Sequence, residues 1–423
     1  MPGAGAMLVN KFLIGEAAHA FAAVAPLTYP ADAVLRRFFR ERHKLGQHDR
    51  EFVAETVYAW LRRMRSLAHF ASSQDSRSLV LATLAKAMGL SLRQLEPYLN
   101  KREAEWIASL KTQTLAGAPE GVRLDLPDWL VERITQQYGE AGLGAFAQAM
   151  LKTAPLDLRV NTLKTDRDSV LARFAEEGIK AEPTPWSPMG VRLVEKPALA
   201  KHPLFLEGAV EVQDEGSQLL CLLVAPRRGE MVADFCAGAG GKTLALGALM
   251  RSTGRLYAFD VSAQRIAKFA PRMRRSGLSN VHAQVIASEN DAKLKRLAGK
   301  FDRVLVDAPC SGLGTLRRNP DLKWRQTPQG IDQLRVKQAS ILNAAARLLK
   351  SGGRLVYATC SVLEQENGEV VAEFLRKHAD FRLVPASSVL AQQKIAVHAG
   401  EYLMLTPQEH GTDGFFAAVL ERA

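Results

Sequence analysis

The sequence has few cysteines and no long hydrophobic run, and these absences narrow the class of protein. Only four of its 423 residues are cysteine, and none has the C-x-x-C spacing of a zinc site. No apolar run reaches the 18 residues of a membrane span, and Glu16 and His19 interrupt the apolar stretch at 12–24. We therefore expect a cytoplasmic protein without a metal, a disulfide framework or a membrane segment.

Acidic residues are outnumbered by basic ones. The chain has 56 Lys and Arg against 44 Asp and Glu, a net charge of +12. Such an excess attracts polyanions such as nucleic acid, although it also serves solubility. With 47% hydrophobic and 24% charged residues the composition is that of a globular protein, and its length predicts two or three domains.

Three regions differ in their hydrophobic pattern. Residues 17–115 have helical spacing and many arginines, which form either an RNA-binding face or a solvated helix surface. After a turn-rich link at 116–121, strands at 156–163 and 190–194 flank a helix at 166–177. Arg159 and Asn161 lie on one face of the first strand, where they either contact phosphate and ribose or are structural.

From about residue 205 strands alternate with helices, which predicts a doubly wound parallel sheet with ligands at the carboxyl ends of the strands. The strands are expected at 231–235, 255–259, 301–306 and 354–358, with helices beginning at 242 and 263. Every motif described below lies at such an end.

The first of these strands runs into a small-residue turn, Asp234-Phe-Cys-Ala-Gly238-Ala-Gly240-Gly241-Lys242-Thr243. Cys236 replaces the first glycine of a P-loop, and Thr243 the third glycine of the dinucleotide fingerprint, which disfavours a kinase or a nicotinamide-dependent oxidoreductase. Asp260, at the end of the next strand, is placed to accept hydrogen bonds from ribose hydroxyls. Together these features indicate an adenosine-type cofactor.

Two further strands end in cysteines, in Asp307-Ala-Pro-Cys310-Ser and Thr359-Cys360-Ser. Either cysteine alone is typical of a small buried hydrophobe. Together they suit methylation of cytosine C5, because a thiolate added to C6 makes C5 nucleophilic toward S-adenosylmethionine. A carboxylic acid such as Asp307 would bind or protonate N3 during this addition.

The chain resembles the RNA (cytosine-5) methyltransferase family, particularly its bacterial ribosomal-RNA members, over residues 126–423. The matching motifs are Pro127-Asp-Trp129-Leu, Arg159-Val-Asn161, Gln213-Asp-Glu-Gly216-Ser-Gln218, Asp234 to Thr243, Asp307 to Thr315, Arg317-Arg318-Asn-Pro320-Asp321-Leu-Lys-Trp324, Thr359-Cys-Ser361 and Asp413-Gly-Phe415-Phe416. The resemblance implies a Rossmann-like class I methyltransferase sheet (206–423), preceded by a divergent NusB-like helical RNA-binding domain (1–120) and a small α/β RNA-binding module (121–205).

The resemblance also implies roles for individual residues. Cys360 would add to C6, Cys310 would assist product release, and Asp307 would hold the cytosine edge. The expected S-adenosylmethionine contacts are Cys236, Ala237, Gly238, Ala239, Gly240, Gly241, Lys242, Asp260, Arg265 and Asp307, and the expected RNA contacts are Arg159, Asn161 and Arg318. We expect a monomer.

Positive charge gathers after two of the motif strands. Arg317, Arg318, Lys323 and Arg325 follow Asp307, and Arg272, Arg274 and Arg275 follow Asp260. Each cluster either contacts a phosphate backbone or is helix-surface charge. Helix-surface charge is the better interpretation for the Arg272 cluster than for the Arg317 cluster.

Two positions depart from the family pattern. Ala239 stands where many members carry proline, a change that keeps the residue small and is expected to leave cofactor binding intact. Ala287 stands where an aspartate usually faces adenine, so Ser288, Glu289 or Asn290 takes over this contact, or the cofactor binds more weakly. The departure at Ala287 keeps open a non-catalytic RNA-binding or ribosome-assembly factor on a methyltransferase scaffold. Methylation of DNA is a variant of the main hypothesis, since basic charge does not distinguish the sugars.

Overall fold

The computed structural model describes residues 9–71, 73–195 and 197–423, which divide into two compact units. The first unit contains the described residues up to Thr153 together with Leu316–Gln326, and the second contains Ala154–Thr315 and Thr327–Ala423. The helices of the first unit are α1 Lys11–Val24, α2 Ala31–Arg40, α3 Gln47–Arg62, α4 Met64–Phe70, α5 Ser76–Ala82, α6 Leu92–Leu95, α7 Lys101–Ser109, α8 Glu120–Arg123, α9 Asp128–Met150 and, in the returning segment, α16 Leu322–Arg325. Those of the second unit are α10 Arg167–Glu176, α11 Pro203–Leu206, α12 Glu215–Val224, α13 Gly241–Leu249, α14 Ala263–Ser276, α15 Ala292–Lys295, α17 Pro328–Ala346, α18 Gly368–Lys377, α19 Ala386–Ala391 and α20 Pro407–His410.

Twelve strands occur in the described residues, all of them in the second unit. They are β1 Leu156–Val160, β2 Ala181–Pro183, β3 Gly190–Leu193, β4 Val210–Val212, β5 Met231–Asp234, β6 Arg255–Asp260, β7 Val281–Val285, β8 Phe301–Asp307, β9 Leu349–Thr359, β10 Phe381–Val384, β11 Leu403–Leu405 and β12 Phe415–Arg422.

The first unit is helical, as the spacing of apolar residues between 17 and 115 predicts. Helix α3 buries Val53, Val57 and Trp60 on one face, and the Trp60 ring stacks on Phe21 of α1 with ring centroids 4.5 Å apart. Burial of this apolar stripe holds the short helices together, because helices of this length are marginal alone in water.

The segment 316–326 returns to the helical unit. The indole Nε1 of Trp324 donates to the Leu61 carbonyl at 2.7 Å, and Lys323 Nζ donates to the Arg62 carbonyl at 2.8 Å. Burial lowers the pKa of Lys323 to about 7. The sequence placed Lys323 in a cluster for phosphate or helix-surface charge, but its ammonium group is instead buried and bonded to backbone.

The second unit contains a four-stranded antiparallel sheet in the order β2-β3-β1-β4, with α10 connecting β1 and β2. It also contains an eight-stranded sheet in the order β10-β12-β9-β8-β5-β6-β7, with β11 paired to β12. Strands β5 to β9 are parallel, and the antiparallel β10 to β12 were not predicted from the sequence.

Strand β8 shows why this sheet forms. Its residues Val304, Leu305 and Val306 are all fully buried, and such an uninterrupted apolar run is typical of a parallel strand covered on both faces. The chain order reverses at β5, since β6 and β7 lie on one side of it and β8 and β9 on the other. The sheet is thus the predicted Rossmann-like α/β fold, and its reversal point is where such folds place ligands.

No helix in the described ranges is long and apolar enough to cross a bilayer.

Candidate functional site

The loop between β5 and α13 has a backbone that only glycine adopts readily. Gly238 and Gly240 have φ of +57° and +81°, in the left-handed region. A Cβ at Gly240 would lie 1.9 Å from the Phe269 ring, whereas a Cβ at Gly238 would meet nothing within 4 Å. Gly240 therefore permits close packing on α14, and Gly238 leaves its side of the loop open to a ligand.

Asp260 fixes this loop from the end of β6. Its Oδ2 accepts from the Gly238 N–H at 2.8 Å, and its Oδ1 accepts from the Ser262 N–H at 2.7 Å. Each carboxylate oxygen keeps a further lone pair, so the group can also accept from ribose hydroxyls. Arg265 is exposed, with its Nη1 4.0 Å from Asp260 Oδ2. The open glycine face and the acid beside it fit an adenosine-type cofactor.

Arg159 supports the cofactor loop from inside the protein. Its Nη1 donates to the Gly241 carbonyl and to Gln213 Oε1, both at 2.6 Å, and burial lowers its pKa to about 10. The Asn161 amide is likewise buried and donates to the carbonyls of Gly208 and Ser276, both at 2.9 Å. The sequence left RNA contact and a structural role open for both side chains, and the structure gives both of them hydrogen-bond partners inside the protein.

The Arg272 cluster also has internal partners. Arg272 donates to the Ala239 carbonyl at 2.7 Å and to the Glu211 carboxylate, and Arg275 binds the other oxygen of Glu211 at 2.6 Å. Both guanidinium groups are therefore occupied by a buried acid.

The Cys236 thiol, on the loop between β5 and α13, is kept protonated because burial raises its pKa well above the ordinary value. Ala237 donates its N–H to the Phe259 carbonyl at 2.8 Å.

Lys242 bonds to Asp307 across the reversal point of the sheet. Its Nζ lies 2.7 Å from Asp307 Oδ2, although the two residues are 65 positions apart in the chain. Burial lowers the pKa of Lys242, but the adjacent Asp307 carboxylate raises it more, and the net shift is upward. The predicted cofactor lysine is therefore a fixed cation beside the predicted cytosine-binding acid.

The two cysteines meet at the ends of β8 and β9. Their Sγ atoms are 3.3 Å apart, and the Cys360 N–H points to the Cys310 sulfur at the same distance. The hydrogen bond to Cys360, together with burial, raises the pKa of Cys310 well above its ordinary value. Cys310 thus keeps its proton and can donate it to the sulfur of Cys360.

Sequence reasoning missed the residues that hold this pair. Glu366 is fully buried and accepts hydrogen bonds from Ser311 and Ser361, which follow the two cysteines. Gly414, in the C-terminal motif, donates to the Gly314 carbonyl at 2.8 Å, and a Cβ on Gly314 would come within 2.1 Å of the Gly414 oxygen. Ser361 belongs to the family motif Thr359-Cys-Ser361 and could be recognised from the sequence, whereas Glu366 lies outside the motifs described above.

The region near Ala287 limits the choice of adenine contact. Both Glu289 oxygens are occupied, by Lys337 Nζ and by Ser340 Oγ, each at 2.6 Å. The Ala287 N–H donates to Asp291 Oδ2 at 2.8 Å. Of the three candidates for the missing aspartate, Glu289 is therefore one whose carboxylate is already engaged by two side chains of α17.

Arg318 lies in the segment 316–326, which belongs to the helical unit, and is half-buried. Within the described ranges no group of three or more His, Cys, Asp or Glu could hold a metal ion.

Comparison with known proteins gives consistent matches along the chain. The family of the 16S rRNA methyltransferase RsmB/F matches residues 221–421, and the ferredoxin-like domain of RsmF/B-like methyltransferases matches residues 126–200. A probable ribosomal RNA small subunit methyltransferase B from Synechocystis sp. is 33% identical over 421 residues, covering 90% of this chain and 93% of the relative.

Solved structures agree with the fold. A methyltransferase homolog from Pyrococcus horikoshii has a TM-score of 0.62 at 30% identity, over 72% of this chain and 97% of that chain. NSun6 from Pyrococcus horikoshii, solved with SFG, has a TM-score of 0.61 at 21% identity, over 70% and 98% of the two chains, and shows the fold alone. The long match to the Synechocystis relative and the two family matches establish that this chain belongs to the RsmB/F family of 16S rRNA methyltransferases.

Proposed function

We propose that this protein methylates C5 of a cytosine in RNA, most specifically 16S ribosomal RNA, through a covalent bond between Cys360 and C6. The observation that carries the proposal is the 3.3 Å separation of the Cys310 and Cys360 sulfurs at the carboxyl end of the sheet. Two thiols at this place have no use in a simple displacement, but addition to a base and later elimination need both a nucleophile and a proton donor. Membership in the RsmB/F family supports the RNA substrate.

The residues divide the reaction between them. The Cys360 thiolate forms a bond to C6 while Asp307, in its carboxylic acid form, donates its proton or a hydrogen bond to N3, which offsets the negative charge that develops on the ring. S-adenosylmethionine, when bound against the Gly238 loop and Asp260, supplies the methyl group. After a base, which can be a water molecule, takes the C5 proton, the C5–H electrons re-form the C5–C6 double bond and expel the sulfur of Cys360. Cys310, which retains its proton, stabilises the departing sulfur by donating a hydrogen bond to it.

Access to Cys360 requires an unstacked base. A thiolate must approach C6 from above the ring plane, where neighbouring bases lie in a helix. The preferred substrate is therefore single-stranded or loop RNA, in keeping with sequence-specific RNA recognition in general.

The test is methyl transfer to 16S rRNA combined with bisulfite sequencing. Cys360→Ala should abolish transfer, while Cys310→Ala should accumulate a covalent protein–RNA adduct that survives denaturing electrophoresis. Protection of one rRNA cytosine only in cells that contain the gene would identify C5 as the position. Full activity of Cys360→Ala would overturn the covalent mechanism, and absence of S-adenosylmethionine binding in calorimetry would favour the non-catalytic scaffold.

A further inference from the structure

We propose that Glu366 is a positioning residue which holds the Cys310 and Cys360 thiols together by binding the serine that follows each of them. The proposal rests on the proposed function, because it assigns the support of the same cysteine pair. Glu366 lies on the short turn after β9, and the hydrogen bonds of its carboxylate described below go to Ser311, Ser361 and Gln338. It acts through its neighbours.

The hydrogen bonds of Glu366 converge on the two cysteine loops. Its Oε1 accepts from the Ser311 N–H and from Gln338 Nε2, both at 2.9 Å. Its Oε2 accepts from the hydroxyl groups of Ser311 and Ser361, which are themselves 3.1 Å apart. One carboxylate thus joins the loop after β8 to the loop after β9.

Gln338 of α17 extends the same support to the other side of Cys310. Its Nε2 also donates to the Pro309 carbonyl at 3.0 Å. Cys310 is therefore held at the residue before it and at the residue after it, and both attachments depend on the side chains of Gln338 and Glu366.

The burial of Glu366 argues that this network has a specific purpose. Its exposed fraction is 0%, and all four donors described above are uncharged. Burying a carboxylate without a cation is costly, and removing it would leave several buried donors without an acceptor. A hydrophobic side chain would fill the space at lower cost, but it could not fix two serines at once.

Glutamine is a suitable conservative replacement. In Glu366→Gln the amide oxygen can face the Ser311 N–H and Gln338, while the amide NH₂ donates to the two serine hydroxyls, which also accept. Glu366→Ala removes all four attachments. The matched control is Glu421→Ala, which removes a glutamate of β12 that pairs with Arg354 of β9 and Arg382 of β10.

The experiment measures thiol proximity in the full-length protein without RNA or cofactor. Diamide oxidises the two thiols to a disulfide and is itself reduced to the hydrazine, and peptide mapping by mass spectrometry quantifies the Cys310–Cys360 bond. Wild type, Glu366→Gln and Glu421→Ala should form it at rates within about threefold of one another, and Glu366→Ala should be at least about tenfold slower. Urea unfolding of each variant reports whether it is folded.

Methyl transfer supplies the second measurement. We expect Glu366→Ala to lower kcat by about 10²-fold with little change in KM for S-adenosylmethionine, and Glu366→Gln to recover most of the rate. If Glu366→Ala does not fold, Ser361→Ala tests the same contact and should slow disulfide formation by about threefold or more. Wild-type oxidation rates in folded Glu366→Ala or Ser361→Ala, or a Glu366→Gln variant as slow as Glu366→Ala, would overturn the proposal.

The two measurements separate this proposal from the proposed function. A wild-type protein that forms the disulfide but methylates no RNA would refute the function alone. A wild-type protein that methylates RNA while disulfide formation is indifferent to Glu366 would refute only the positioning role.

Discussion

The ammonium group of Lys242 lies 2.7 Å from Asp307 Oδ2, so the second residue of α13 and the last residue of β8 form an ion pair at the centre of the site. The ring of Phe415 stands 5.9 Å from the same nitrogen. The Gly238 loop and the acid that we propose binds the base are thereby coupled.

We expect Lys242→Met and Asp307→Asn each to lower the free energy of unfolding, with a coupling energy of roughly 1–3 kcal/mol in a double-mutant cycle. Removing one partner leaves the other largely buried and unpaired, so the second substitution should cost less than the first. Urea unfolding of the four proteins measures this. Lys337→Met is the control, because Lys337 is half exposed and its pair with Glu289 should contribute at most about 1 kcal/mol. Additive effects of the two substitutions would show that the pair is not coupled.

Asp260→Asn should raise the KM for S-adenosylmethionine by about tenfold or more. Both carboxylate oxygens accept backbone N–H groups, so an amide NH₂ would face a donor and loosen the Gly238 loop as well as the ribose contact. Glu289→Gln should change this KM by less than about twofold, since the Glu289 carboxylate is occupied by Lys337 and Ser340. Steady-state kinetics at saturating RNA compares the two variants. Equal increases in KM would indicate that Glu289 contacts the cofactor, as expected of the residue that binds adenine.

Gly240→Ala should destabilise the protein more than Gly299→Ala. Both glycines have positive φ, of +81° and +68°, so both substitutions carry a backbone strain of about 1–2 kcal/mol. Only the Cβ at position 240 would clash with Phe269, because nothing lies within 4 Å of a Cβ at Gly299. The melting temperature should fall further for Gly240→Ala than for Gly299→Ala, and the Kd for S-adenosylmethionine should rise for Gly240→Ala alone. Equal melting temperatures would show that α14 moves away at little cost.

Asp234 should make stability fall as the pH rises. Burial raises its pKa to about 7, and its Oδ1 has no hydrogen-bond partner among the residues that the structure describes. The unfolded carboxyl has a pKa near 3.9, so between about pH 4 and 7 the folded state binds the additional proton and loses stability with increasing pH. Relative to wild type, Asp234→Asn should gain on the order of 2–4 kcal/mol between pH 4 and pH 8. Urea unfolding across this range tests the sign, and parallel profiles for the two proteins would contradict it.

The local sequence identified the ends of the parallel strands. An apolar run such as Val304 to Val306 is typical of a buried strand, and parallel strands bring their carboxyl ends to one edge of a sheet. Asp260, Asp307, Cys310 and Cys360 could therefore be assigned to a common edge before their distances were known. The glycine loop was recognisable for the same reason, because small residues after a strand indicate close approach of backbone to a ligand.

Other features depended on partners distant in the chain. A strand pattern places Arg159 and Asn161 on one face, but only the packed structure shows that their side chains donate to the Gly241 and Gly208 carbonyls. Strand β12 could not be placed because its antiparallel partner β9 lies more than 50 residues away.

The same distinction applies to charge. Composition determined that the protein is basic, but the guanidinium groups of Arg272 and Arg275 are directed to Glu211, and Lys323 is buried against Arg62. Glu366 had no sequence signal at all, because its four donors come together only after β8, β9 and α17 have packed. Local sequence thus determined which residues lie at the reactive edge, and tertiary packing decided which of them face a ligand and which hold the others in place.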